Sequence, residues 1–364
     1  ADDFVDTDPK KISWTREIKK DLSRQKRGKF QSSGLRPSLY RPFTKQHIYF
    51  DRQFNNCVYQ LPRIFPEPST SNILICATGT GTTKDFSCIA TNTLPDLEIV
   101  SKSVCFPLYL YTVDGSRSEQ LHDQSKTPEQ TEFASSEEQD SELVGGLRRR
   151  YAINDTILSD FREAYQTQIT KEDIFYYVYG ILPSPEYRER FSSDLKKMLP
   201  RVPFTNAMAD FWKFSQAGRD LSSWHLNYET VEPFPVQEHS ATFALDPEKD
   251  FLVQKMTFGR KSKQVDKTTI IYNSNVTLSR IPLEAYDYVV NGKPALEWIM
   301  ERYQVTVDKQ SGIRNDPNDW AREHNQPRYI LDLVKRIVRV SVETMKIVNS
   351  LPALNERPST SQTR

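Results

Sequence analysis

The 364-residue chain has no stretch approaching the roughly 18 consecutive apolar residues that a membrane-spanning helix needs, which excludes a helical membrane protein. Its first residues, Ala1-Asp2-Asp3, are acidic and give no basic lead to a secretory signal. There is no initiator Met, so the expectation is a fragment or a processed product. Cysteine is scarce, with four in all: Cys57, Cys76, Cys88 and Cys105. None forms a Cys-x-x-Cys pair and no histidine stands at zinc-ligand spacing from them, so they read as buried, reduced thiols of a cytoplasmic protein. A disulfide miniprotein and a collagen-like rod are excluded, and the length allows one large domain or two ordinary ones. The five histidines (His47, His122, His225, His239, His324) are scattered, with no His-x-x-x-His, no Gly-x-Ser-x-Gly and no paired-carboxylate site.

The net charge of +1 hides two opposed blocks. Residues 10–63 carry fourteen Lys/Arg against three acids, a local net of +11. Such a block is the electrostatic footprint that phosphate backbones attract; a solvated helix face is the bland alternative. Residues 114–142 carry nine acids and two bases, a net of −7. Rich in Ser, Gln, Thr and Glu, they read as a disordered, solubilising insertion. Arg148-Arg149-Arg150 follows, either as a phosphate clamp or as the basic flank of the next helix.

The pattern predicts an α+β fold. Residues 10–29 read as a charged helical lead-in. In Gly34-Leu-Arg-Pro-Ser-Leu-Tyr-Arg-Pro-Phe43, Pro37 and Pro42 forbid a helix and favour extended chain. Strands are expected at 47–50, 57–59, 72–76, 86–90 and 105–111, making the first half β-rich. The second half reads as mainly helical: 155–165, a helix from a Thr170/Asp173 capping box to Gly180, 186–198 behind Ser184-Pro185, 207–226, short helices at 282–290 and 294–303 with Pro first, and an amphipathic 327–349. Between them, 252–258 and 267–272 read as a small β-hairpin with Gly259-Arg-Lys-Ser-Lys263 as a basic tip.

Chemistry-bearing motifs are weak. Cys76-Ala-Thr-Gly-Thr-Gly-Thr-Thr-Lys84 lacks the Gly-Lys-Ser/Thr of a P-loop and the third glycine of a dinucleotide fingerprint. A turn between two strands is the plainer reading, with Lys84 free to touch a phosphate backbone. Pro95-Asp-Leu-Glu98 with Lys102 has the wrong acid-to-lysine step for a metal-dependent nuclease. No Asn/Asp-Pro-Pro-aromatic motif of an amino-methyltransferase occurs. Tyr40 lies in the extended basic run, where it could stack on a base or back a phosphate contact.

A series of longer segments carries a resemblance. Residues 34–43, Ile48-Tyr-Phe-Asp51, Leu61-Pro-Arg63, Cys105-Phe-Pro-Leu-Tyr-Leu-Tyr111, Glu172-Asp-Ile-Phe-Tyr-Tyr-Val-Tyr-Gly180 and Ser184-Pro-Glu-Tyr-Arg188 stand in one order. Leu226-Asn-Tyr-Glu229, Ile281-Pro-Leu-Glu-Ala-Tyr286, Glu297-Trp-Ile-Met-Glu-Arg-Tyr303 and Asp316-Pro-Asn-Asp-Trp320 continue it. Together they resemble the C-terminal target-recognition domain of Type ISP restriction-modification enzymes, from about residue 34 to 349. The resemblance implies a bacterial, cytoplasmic module that binds double-stranded DNA and chooses its sequence, with no cofactor and no catalytic residue in this chain. It further implies upstream nuclease, helicase-like, coupler and adenine-N6 methyltransferase domains that use ATP, Mg2+ and S-adenosylmethionine. Ala1 then marks a cut or a split gene. The expected divisions are a lead-in at 1–33, a β-rich part at 34–112, the acidic insertion at 113–147, a mainly helical part at 148–350 and a flexible tail at 351–364. The expected DNA-contacting residues are Arg36, Arg41, Lys45, Arg52 and Arg63 with Tyr40, then Lys84, and Arg260, Lys261 and Lys263 at the hairpin tip. The competing expectation is a scaffold that docks methyltransferase and translocase modules without reading bases.

Overall fold

The computed structural model describes residues 4–8, 10, 11, 14–113, 141–241 and 246–357. The acidic run 114–140 and residues 358–364 lie outside the described residues, and with them the expectations of disorder there. The α+β expectation holds, with a strand-rich first half.

The lead-in helix narrows to α1 (Arg16–Ser23), opened by Thr15, which accepts from the Ile18 N–H; none of its residues is buried. β1 (Leu35–Arg41) and β2 (Thr44–Tyr49) form an antiparallel ribbon from Leu35↔Tyr49 to Arg41↔Thr44. Phe43 turns it at φ 57 and is fully buried. Residues 57–59 form no strand: Tyr59 has φ 46, outside the β region, and α2 (Leu61–Ile64) follows. β3 (Leu74–Ala77) is flanked antiparallel by β4 (Cys88–Thr91) and, beyond β5 (Leu94–Pro95), by β6 (Val104–Pro107). β5 runs parallel to β1. β7 (Tyr109–Val113), β8 (Glu142–Val144) and β9 (Leu147–Tyr151) make a further sheet in the order β7-β9-β8. Residues 142–147, expected within the insertion, are therefore β8, its turn and the first residue of β9, and the arginine triplet lies in β9 rather than at a helix.

Helices α3 (Asp155–Tyr165) and α4 (Lys171–Ile181) follow, the latter with the full Thr170/Asp173 capping box. The helix expected at 186–198 is two pieces, α5 (Pro185–Arg190) and α6 (Ser192–Leu195), parted at Phe191, whose φ −101 and ψ 15 leave the helical region. α7 (Met208–Leu226) completes this helical layer. β10 (Gln237–Ser240), α8 (Pro247–Asp250), β11 (Thr257–Lys261), β12 (Gln264–Ile271) and β13 (Val276–Ser279) follow, and the expected hairpin is one edge of a four-stranded sheet β10-β13-β12-β11. Residues 252–256 are not strand. Asn318 takes the place of a strand partner, accepting from Val253 N–H and donating to its carbonyl, while Phe251, Val253 and Met256 sink into the core.

The 282–290 segment holds only a 3-10 turn, Leu283–Tyr286, before β14 (Val289–Val290) and β15 (Lys293–Pro294). Pro294 caps α9 (Ala295–Arg302) instead of entering it. β16 (Thr306–Val307), β17 (Arg314–Asn315), α10 (Asn318–Glu323) and α11 (Tyr329–Asn349) end the fold.

Strand periodicity organises the core. On β3, Leu74 and Cys76 face one hydrophobic cluster, with α9, α11 and β12; Ile75 and Ala77 face another, with α3, α4 and α7. The sheet β4-β3-β6 is thus a middle layer. α4 and α7 cross backbone to backbone behind it: a Cβ on Gly180 would lie 1.9 Å from the Phe214 carbonyl oxygen, and one on Gly218 would lie 1.8 Å from that of Tyr176. A buried polar chain joins the layers. The Ala90 N–H donates to Tyr179 Oη at 2.8 Å, Tyr179 Oη and His225 Nδ1 share a hydrogen bond at 2.5 Å, and His225 Nε2 and Thr344 Oγ1 share another at 3.0 Å. Burial pushes the His225 imidazole down to about 3, so it is neutral.

Two outcomes follow for stability. Gly218→Ala should lower the unfolding free energy by about 2–3 kcal/mol in urea titration, since backbone must move to admit the methyl. His225, depressed below its unfolded value near 6.5, contributes fully above pH 6.5 and less as pH falls toward 3. By pH 5 this group alone should remove about 2 kcal/mol, a slope that urea titration of a His225→Asn variant should not show.

Candidate nucleic-acid interface

The ten residues expected at DNA fall in separate places. Arg36 turns inward: Nη1 donates to the Phe65 carbonyl at 2.6 Å, Nη2 to that of Pro66 at 3.0 Å and Nε to that of Ser33 at 3.3 Å. It packs over Phe50, and partial burial lowers its pKa from the usual arginine value. Arg41 donates to Asp96 Oδ1 and to the Tyr40 carbonyl, each at 2.7 Å, with its guanidinium 4.1 Å above the Tyr40 ring. Lys45 is paired with Glu229 and lies 5.3 Å from the Tyr228 ring centre. These three cations hold the β1–β2 ribbon to the rest of the chain.

The others are freer. Arg52 is exposed and has no polar partner among the described residues. Arg63 is exposed, with a long 3.4 Å bond to Gln60. Lys84 is exposed on the loop from β3 to β4. That loop joins strand to strand, so no helix start is available to cradle a phosphate. Its glycines serve the turn: a Cβ on Gly79 would lie 2.0 Å from the Lys102 carbonyl oxygen, and Gly81 has φ 69. At the hairpin, Lys261 pairs with Asp266 at 3.3 Å, while Arg260 and Lys263 are exposed without a partner among the described residues.

A cleft of about 820 Å³ separates the β1–β2 ribbon from the corner of α9 and α10. Tyr40 and Lys45 line it, opposite Glu229, Tyr303, Trp320 and Tyr329. Charges here are largely closed: Glu229 also accepts from Tyr329 Oη at 2.7 Å, Glu301 pairs with Lys293 and Arg302, and Asp316 with Arg314 and Arg322. Three segments of the resemblance (226–229, 297–303 and 316–320) thus meet at one place. Their residue types were visible in the sequence; their convergence, with partners such as Lys45 and Glu229 184 positions apart, was not. Among the described residues, no group of three or more His, Cys, Asp or Glu is arranged to hold a metal ion, and no helix is long and apolar enough to cross a membrane.

Comparison with known families decides the identity: the Type ISP C-terminal specificity domain matches residues 1–333. The chain belongs to this family. This specificity domain is similar to part of the ATP-dependent Type ISP restriction-modification enzyme LlaBIII bound to DNA, with 30% identity and a TM-score of 0.78 over 95% of this chain and 20% of that one. It is similar to a nuclease-deletion mutant of the Type ISP enzyme LlaGI in complex with a DNA substrate mimic, with 32% identity and 0.76 over 98% and 24%. It is also similar to the DrdV–DNA complex solved by cryo-electron microscopy, with 29% identity and 0.77 over 97% and 31%. The chain spans less than a third of each of these proteins. Comparison with curated proteins gives no match. The matched family is the specificity domain of a restriction-modification enzyme and not its catalytic part.

The placement of the arginines separates two kinds. Arg36→Ala should lower unfolding free energy by about 2 kcal/mol, since several carbonyls lose their donor, whereas Arg52→Ala should change it by less than about 0.5 kcal/mol; chemical denaturation measures both.

Proposed function

We propose that this specificity domain recognises a double-stranded DNA sequence for a Type ISP restriction-modification enzyme and performs no chemistry itself. The observation that carries the reading is likeness over nearly the whole chain, at TM-scores of 0.76–0.78, to three proteins solved with DNA. On this reading, adenine-N6 methylation, translocation and cleavage belong to other domains of a bacterial cytoplasmic enzyme, which supply the sites for S-adenosylmethionine, ATP and Mg2+. The methyltransferase flips the target adenine while this domain holds the flanking duplex.

Phosphate contacts fall to cations with donors to spare. Arg52, Arg63, Lys84 and Lys263 are the candidates, because each is exposed and unpaired with any carboxylate among the described residues. Arg36, Arg41 and Lys45, with Tyr40, act one step back by fixing the ribbon. Lys261 shares its charge with Asp266. A docking scaffold without base readout is the competing reading, and α1, with no buried residue, gives it some footing as a surface for another module.

Salt dependence tests the assignment. Each lost phosphate contact should flatten the plot of log K against log salt by about one unit for a duplex ligand. Alanine at Arg52, Arg63, Lys84 or Lys263 should do so and leave sequence preference intact; alanine at Arg36 should not. Unchanged slopes in all four variants would overturn the phosphate assignment, and a chain that binds no duplex at all would overturn the function.

A further inference from the structure

The β11–β12 hairpin has a form that the basic tip alone does not explain. Its register runs Phe258↔Ile270, then jumps to Gly259↔Asp266, Arg260↔Val265 and Lys261↔Gln264. Residues 267, 268 and 269 of β12 therefore bulge out with no opposite number, and the distal ribbon is re-aimed away from the parent sheet. The bulge is organised from within by Asp266, which accepts from Thr268 N–H at 3.0 Å, Thr268 Oγ1 at 2.6 Å and Thr269 Oγ1 at 3.1 Å. It is tied to the body by Lys267 Nζ to Glu297 at 2.8 Å, Tyr286 Oη to the Lys267 carbonyl at 2.7 Å and Ile281 N–H to the Thr268 carbonyl at 3.0 Å. Gly259 is required where the strands cross, since a Cβ there would lie 2.8 Å from Thr269 Cβ.

Beyond this base, residues 260–265 are exposed on both faces of the ribbon. Arg260 and Val265 stand directly opposite each other and so share one face; Lys261 and Gln264 share the other. Arg260 and Gln264 have no hydrogen-bond partner among the described residues, and Val265 leaves 60% of its surface in water at a highly charged tip. An exposed valine adds nothing to a phosphate contact. Base edges can use both members of the Arg260/Val265 face: Arg pairs with guanine O6 and N7, and an apolar group meets the thymine methyl. Two strands about 4.8 Å apart also fit a major groove about 12 Å wide, whereas the concave 820 Å³ cleft cannot enter one.

We infer that the distal β11–β12 ribbon enters the major groove with its Arg260/Val265 face toward the bases, and that Arg260 determines base preference there, with Val265 against a thymine methyl. This rests on the DNA-recognition reading above. The test uses the full chain, its preferred duplex and a panel of single base-pair substitutions in that duplex. Arg260→Ala should lose discrimination at one base pair by roughly 5- to 150-fold, and Gln264→Ala, on the opposite face, should not. Lys263→Ala should keep the full preference. Thermal unfolding should not move, because neither side chain contacts the fold. If Arg260→Ala retains the parent preference at every position, the tip reads no base and the inference fails while DNA recognition stands. A parent chain with no preferred duplex overturns both.

Discussion

Everything in this domain hangs on a sheet that is buried on both faces. β3 sends alternate residues into two different cores, so neither half of the chain can pack without it. A strand of four residues, all buried, has no polar face to offer water, and its neighbours must supply both covers. The helical cover sits close because Gly180 and Gly218 let α4 and α7 touch along their backbones. The chain from Ala90 through Tyr179 and His225 to Thr344 then ties middle sheet, α7 and α11 at a single depth. Neutral His225 can do this because it donates from one nitrogen and accepts at the other, which the imidazolium form cannot.

The same economy governs charge. The N-terminal basic block looks uniform as sequence, yet its members divide sharply in space. Arg36 satisfies backbone carbonyls and Arg41 and Lys45 meet Asp96 and Glu229, while Arg52 and cations such as Lys19 and Lys20 of α1 stand exposed. Local positive charge therefore does two jobs: it closes the ribbon onto the body, and it leaves the remaining cations facing outward. The hairpin repeats the logic, with Lys261 drawn to Asp266 while Arg260 and Lys263 remain available.

Features set by neighbours in the chain were legible. The Thr170/Asp173 box needs three intervening bonds and nothing else, and Pro37 lies in extended β1 as expected, while Pro42 instead opens the turn into Phe43. The family resemblance was legible too, because many segments in one order identify a domain. Features decided across long separations were not. Residues 252–256 have strand composition, but Asn318, 65 positions away from Val253, satisfies that backbone instead. The 186–198 helix breaks at Phe191, whose backbone leaves the helical region with ψ 15 while its ring packs 5.0 Å from that of Tyr187. Of the expected DNA-contacting residues, chemistry could be read from type, but whether Arg36 or Arg52 kept its donors could not. Val265 carried no signal as a type; it becomes notable only once register and the bulge at 267–269 expose it beside Arg260.

The central claim is that this chain chooses a DNA sequence. Selection from a randomised duplex pool, at low and at near-physiological salt, tests it directly. The account predicts enrichment of one short asymmetric site containing adenine, the same at both salt concentrations, while overall affinity falls with salt. Salt-sensitive binding with no enriched site would contradict it, and would leave the domain an electrostatic docking surface.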